Sequence, residues 1–218
     1  MAPPSPSAPG YLWVLSEPGA QATVEEFQDW YDNEHVPLRM QHISEFETGA
    51  RYEAADGQKP GWAAAYDITS VALFSDNKYT RLRANRSPRE GALVARLEVL
   101  DRRTAEKLGE TSAPPAAQDA PQFVLTAAGD DKPSEDELKV FEGTEGWRRS
   151  HYHHVYDSLV IGYGKEPKSN AAPKFVVIHE FDSEAYVSSP AYAKATGGKT
   201  EIRRWKLYKA TPNTAGKA

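Results

Sequence analysis

The chain has 218 residues, 39% hydrophobic and 26% charged, a mixture that buries a core in one large domain or two small ones. A net charge of −5 argues against nucleic acid, which requires a basic face, and no apolar run approaches the roughly 20 residues that span a bilayer. The absence of cysteine excludes disulfides, thiolate nucleophiles and Cys-ligated metals.

In chain order, residues 1–10 ("MAPPSPSAPG") are Pro/Ser/Ala-rich and expected to be disordered, and they lack the basic and apolar segments of a secretory signal, so a cytoplasmic protein is expected. "YLWVLSEP" (11–18) reads as a strand. Thr23, three residues before Glu26, caps a helix over "TVEEFQDWYDNEHVPLRM" (23–40), which is expected to end or kink near His35 because Pro37 lacks an N–H. "TGARYEA" (48–54) and "GWAAAYDI" (61–68) read as strands, residues 71–84 as helical, "RSPRE" (86–90) as a turn with a proline brake, and "LVARLEVL" (93–100) as a further strand running into the basic "LDRR". Polar "GETSAPPAAQDAP" (109–121) reads as a flexible linker.

The second half follows the same order. "QFVLTAAG" (122–129) is a strand, and Ser134 with Glu137 opens a helix over "SEDELKVFEGTEGWRRSHYHH" (134–154). "SLVIGYG" (158–164), "KFVVIHEF" (174–181), a helical stretch at 183–196 and "TEIRRWKLYKA" (200–210) follow, before a tail (211–218) expected to be disordered. Residues 11–108 and 122–210 are therefore two ferredoxin-like β-α-β-β-α-β units. Each has a sheet with helices on one face and an apolar face that must be covered. The predicted fold class is α+β, tandem ferredoxin-like repeats forming an intrachain pseudo-dimeric α+β barrel with helices outside.

Several residues are candidates for a site. Val24, Phe27, Tyr31, Glu34, His35 and Leu38 share a helical face, with Trp30 beside it. At a helix C-terminus the dipole would raise the pKa of His35, making it a general acid or half of an acid/base pair; the plainer account is a charge that only stabilises the helix end. Arg51 and Tyr52 are adjacent on a strand and face opposite ways, and Tyr66 shares a face with one of them. An Arg51 facing a pocket would hold an enolate or phenolate, and one at the surface would merely pair with an acid. The small run Ala63-Ala64-Ala65 favours open space above the sheet, with Trp13, Trp62 and Phe74 as apolar walls or plain core. In "HYHH" (151–154), His151 and His153 share a face if extended, His151 and His154 if helical. A metal would want a third ligand, for which His179 is the free histidine nearby, but no spacing of a known metal motif is present; the expectation is a polar pocket wall, no metal and no cofactor. No P-loop, GxGxxG or GxSxG occurs.

"LWVLSEPG", "EEFQDWYDNEHVPLRM", "TGARYEAADGQKPGW" and "RSPREGALVARLEVLDRR", covering most of residues 11–104, resemble the EthD-domain-like proteins of fungi in the dimeric α+β barrel superfamily, which often carry two such units per chain. The second half resembles them only in element order and in "YVSSPAYAKAT" before a basic last strand. Superfamily members include cofactor-free monooxygenases, polyketide cyclases, dehydratases, lactone isomerases, decarboxylases and haem-binding peroxidases. The resemblance implies that His35, closing the first helix, lines a pocket between helices and sheet. The expected function is a cofactor-independent enzyme that moves a proton on an aromatic or polyketide-like carbonyl compound, leading to cyclisation, dehydration, isomerisation or oxygenation. His35 would be the acid/base, with Arg51, Tyr66 and His153 orienting or stabilising. Trp30, Tyr31, Tyr52, Trp62, His151, Tyr163 and His179 would line the site. The contrary expectation is a non-catalytic, small-ligand-binding or stress-associated protein. In either case the partner is a small molecule, with no nucleic acid and no membrane, and the chain is a monomer or homodimer.

Overall fold

Alternation decides the layering. On the first strand, β1 (Gly10–Glu17), Tyr11, Trp13 and Leu15 belong to one buried cluster and Leu12 and Val14 to another, the period-two pattern of a strand covered on both faces. The computed structural model describes residues 4–112 and 119–215. Its further strands are β2 (Ala50–Ala54), β3 (Trp62–Ile68), β4 (Val99–Glu110), β5 (Phe123–Gly129), β6 (Trp147–Gly162), β7 (Lys165–Ser169), β8 (Phe175–Phe181) and β9 (Glu201–Ala210).

All strand pairings are antiparallel, in the order β4-β1-β3-β2-β9-β5-β8-β6-β7, and β4 also pairs with β6. Within each unit the order is fourth, first, third, second, as expected of the β-α-β-β-α-β motif. The two units do more than stack their apolar faces: β2–β9 and β4–β6 hydrogen-bond their edges, so the sheet closes and leaves only the appended β7 outside. The barrel interior holds Tyr11, Trp13, Tyr52, Ala63, Ala65 and Trp205. The alanines of the 63–65 run thus make room for indole and phenol rings.

Helices cover the outer face of each unit unequally. Over the first unit lie α1 (Val24–Trp30), a π-helical turn (Tyr31–His35), α2 (Val36–Met40), α3 (Asn77–Ala84) and α4 (Pro88–Val94). Phe27, Trp30, Met40, Phe46 and Leu93 are fully buried against the sheet. Over the second unit lie the one-turn α5 (Glu135–Leu138), a 3-10 turn (Glu184–Ser188) and α6 (Pro190–Thr196), with a smaller core around Phe141, Phe181 and Tyr186. Among the described residues no helix is long and apolar enough to cross a membrane.

The first helix has its irregularity near His35, as expected of Pro37: a π turn, closed by Val36 N–H to the Tyr31 carbonyl, absorbs the missing proline donor and the helix runs on to Met40. Other expectations are corrected. Residues 86–94 are not a turn and a strand: Ser87 caps α4 through its side chain to Glu90 N–H (3.0 Å), Pro88 fills the first turn, and the strand begins at Val99. The helix expected over 134–154 ends after one turn, because Gly143 and Gly146 adopt positive φ (80° and 74°) and residues 147–162 pair with β8 and β4 instead. The described parts of the termini contact the body of the chain: Pro6 O accepts from Ser70 Oγ (2.5 Å), and Thr214 N–H donates to Met40 O (2.8 Å). The expected linker 109–121 begins inside β4 and ends with Ala120 buried in the barrel cluster, so its ends are not a loose strap; residues 113–118 lie outside the described residues.

Candidate active site

A cavity of about 50 Å³ lies between the first-unit helices and the outer face of β1, β3 and β4. Its lining includes Leu12, Trp30, Tyr31, His35, Tyr66 and Glu90. The π turn explains why residues 30, 31 and 35 converge. With one extra residue in the turn, the Trp30 and Tyr31 rings both pack on the His35 imidazole, at 4.4 and 5.0 Å between centroids.

The cap of α4 delivers the partner. Ser87 Oγ donates to Glu34 Oε1 (2.5 Å), and Arg89 pairs with Asp29, which ties α4 to the first helix. Glu90 then reaches His35: Glu90 Oε1 accepts from His35 Nδ1 at 3.2 Å, and the Glu90 side chain is only 5% exposed. A carboxylate that accepts at Nδ1 fixes the tautomer and leaves Nε2 with its lone pair. Burial, with the Arg39 charge adding to it, holds the His35 pKa down to about 3, against the pull of Glu90. This corrects the expectation of a raised value. His35 is in mid-helix, where the dipole of the C-terminus is not felt, and desolvation of the imidazolium decides the sign. At neutral pH the group is a neutral base with an oriented lone pair.

Three residues that line the same cavity carry buried donors, Trp30 Nε1, Tyr66 Oη and Arg39 Nε, with no hydrogen-bond partner among the described residues. Arg39 is 5% exposed and uses Nη1 on the His35 carbonyl (2.6 Å). Burial raises the Tyr66 pKa, so the phenol stays protonated and donates. Orphaned buried donors in a native fold call for a ligand, water or developing charge to satisfy them.

The remaining candidates are placed elsewhere. Arg51 faces the helices but lies behind Tyr31, its guanidinium carbon 4.2 Å from that ring centroid, and donates to Asp32 (2.8 Å) and to Gln28. Trp62 packs at the edge of the first helical core, against Tyr208. Tyr52 sits in the barrel interior, and Tyr163 is exposed just beyond β6. His151 and His153 point into the barrel, fully buried, on the far side of the sheet from His35. There His151 Nε2 donates to Glu180 (3.1 Å), and His153 Nε2 donates to His151 Nδ1 (2.6 Å). Arg149 holds Glu180 (2.8 Å) and Asp67 (3.0 Å) beside them. His179 faces the second helical layer, its Nδ1 2.7 Å from Ser150 Oγ and its ring against Phe141. Among the described residues no group of three His, Asp or Glu side chains is placed to hold a metal.

Sequence reasoning missed Arg39, Tyr79, Arg83, Arg86, Glu90 and Arg102 of the lining. One signal was present: Ser87-Pro88-Arg89-Glu90 is the pattern of a capped helix start, with Glu at the third position. Glu90 is turned to His35 instead of back to the cap.

No family model and no curated protein matches the chain. Among solved structures it resembles an anthrone oxidase-like protein, at 11% identity and a TM-score of 0.59, over 95% of this chain and 94% of that one. It also resembles a candidate monooxygenase from Fusobacterium nucleatum subsp. nucleatum, at 11% identity and a TM-score of 0.51, over 94% and 95% of the two chains. The fold is a dimeric α+β barrel. Here both halves of that barrel come from one chain.

Proposed function

We propose that the protein is a small-molecule oxidative enzyme that needs no resident cofactor, with His35 as general base toward an aromatic or polyketide-like carbonyl compound. The observation that carries this is the His35–Glu90 pair (3.2 Å) in a cavity also lined by Trp30, Tyr66 and Arg39, each with a buried donor that lacks a partner among the described residues. The base removes a proton from carbon next to a carbonyl; the donors stabilise the enolate oxygen where negative charge develops. Glu90 orients the imidazole and stabilises the imidazolium that forms. An electron-rich enolate can then reduce dioxygen itself. The carbon–oxygen bond forms, the resulting hydroperoxide loses water, and the balance is a CH₂ group plus O₂ giving C=O plus H₂O, with the substrate as the only reductant.

The barrel neighbours named as an anthrone oxidase-like protein and a candidate monooxygenase favour this oxidative outcome over cyclisation or dehydration, and the EthD-like resemblance of the first unit supports the same role for His35. The cavity is far smaller than the few hundred Å³ of a drug-sized site, so it receives the reacting end of a substrate rather than all of it.

Anthrone serves as the probe, with oxygen uptake and quinone absorbance as readouts. The wild-type chain is expected to exceed the spontaneous rate, and His35→Ala to lose about 10²-fold or more of that excess, the usual range for a general base. Equal turnover by the variant removes His35 from the mechanism. Binding of the probe without turnover by the wild type favours a non-catalytic ligand carrier.

A further inference from the structure

The helix–sheet cavity is positively charged in an acidic protein. Four guanidinium groups line it, Arg39, Arg83, Arg86 and Arg102, against one carboxylate, Glu90, while the whole chain carries a net charge of −5. That carboxylate is already committed to His35 (3.2 Å), with Arg86 Nε 3.7 Å away. Arg102 donates to Asp157 (2.5 Å), yet its Nε is buried without a partner. Arg39 is almost fully buried and keeps Nε unpaired. Arg83 makes no ion pair and no side-chain hydrogen bond among the described residues.

Space continues past these groups. Arg83 and Arg102 also line a neighbouring groove of about 380 Å³, whose other walls include Phe74, Tyr156, Pro4, Pro6 and Asp157, the half-exposed carboxylate that pairs with Arg102 and that an incoming acid would have to displace. The two arginines thus stand between a small enclosed pocket that holds the base and a larger, partly apolar groove.

We propose that the substrate is an acid: an aromatic or polyketide-like ring system bearing a carboxylate, held by Arg83 and Arg102, with its reacting carbon at His35 and its apolar body along the Phe74–Tyr156 groove. The reacting end in this proposal rests on the functional reading above; the anion site rests on the arginines. A planar guanidinium matches a carboxylate with two parallel hydrogen bonds, and a partly desolvated arginine without a counter-ion gains most from one. Burial, and then the neighbouring Arg102 charge, lower the Arg83 pKa, the crowding that an incoming anion relieves.

The test is equilibrium binding by titration calorimetry with two neutral-core probes, anthraquinone-2-carboxylate and its carboxamide. The wild-type chain is expected to prefer the carboxylate by about tenfold or more at low salt, with the preference shrinking as salt rises. Arg83→Gln and Arg102→Gln are each expected to bring the preference to about threefold or less, and Arg83→Lys to keep part of it. Thermal melting confirms that each variant folds. Equal affinity for both probes in the wild type, no binding of either probe at about millimolar concentration, or a preference untouched by both Gln variants overturns the proposal. His35→Ala separates the two readings: it should keep the preference while losing turnover. Normal turnover in that variant, with the preference intact, removes the proton-transfer reading and leaves the anion site standing.

Discussion

Glu90 accepts a hydrogen bond from His35 Nδ1 at 3.2 Å across a separation of 55 residues along the chain. Neither residue has this role by itself. A π turn inside the first helix aims the imidazole, and a short capped helix inserted before β4 brings the carboxylate to it.

Glu90→Gln keeps the shape but offers an amide that also donates, so the imidazole loses both its fixed tautomer and the charge that stabilises the imidazolium. Turnover of a competent substrate is expected to fall about 10²-fold or more with little change in binding. A variant with wild-type kcat would show that Glu90 is only a packing partner of α4.

The pH–rate profile should lack a limb near 6.5. His35 in the folded protein titrates at about 3, so the base is already deprotonated throughout pH 5–8 and kcat/KM on its account stays flat there. An acidic limb at 6–7 that disappears in His35→Gln would mean that the imidazole is well solvated.

Acid stability follows from the same burial. His35 and His179 both titrate at about 3 in the folded chain, desolvation being the leading cause in each. Once unfolded they take up protons below about 6.5. Between those values the unfolded state binds more protons, so stability is full above about pH 6.5 and falls as pH drops toward 3. Denaturant midpoints measured from pH 7 to 4 should decline, and less steeply in His179→Gln. A midpoint that rises on acidification contradicts the buried neutral state.

Trp205 is the centre of the barrel: it is fully buried, its ring lies 5.7 Å from that of Trp13, and its Nε1 donates to Thr126 (3.3 Å). Trp205→Ala is expected to cost about 3–5 kcal/mol, read from urea midpoints. Arg51→Ala, which removes an ion pair and a ring contact behind Tyr31, should cost less. A larger loss at Arg51 than at Trp205 would place the main stabilising core outside the barrel.

Separation of the two units between residues 113 and 118 exposes two seams at once, β2–β9 and β4–β6. Each half alone is expected to aggregate or self-associate, since bare edges and an apolar sheet face are both left open. Co-expressed halves should recover a soluble complex. Two halves that are each monomeric and cooperatively folded would show that the barrel is not required.

Much of this was legible in the residues and part was not, for definite reasons. The order of elements determined the repeat, and Thr23 with Glu26 marked the first helix; the strands at 11–18, 61–68, 174–181 and 200–210 carry apolar side chains at both parities, which only a sheet covered on both faces can bury, and that determined the helix-coated barrel. "HYHH" was ambiguous because strand and helix place its histidines on different faces, and only pairing with β8 on one side and β4 on the other extended β6 through it, against the local helical pattern of 134–154. The pKa direction of His35 was equally undecidable from its neighbours in the chain. A helix dipole raises it and burial lowers it, and how deep the ring lies depends on Trp30, Tyr31 and a helix more than fifty residues away. Local sequence determines which faces must be covered; the meeting of Glu90, Arg83 and Arg102 with His35 is a long-range contact, and only the packed tertiary structure decides it.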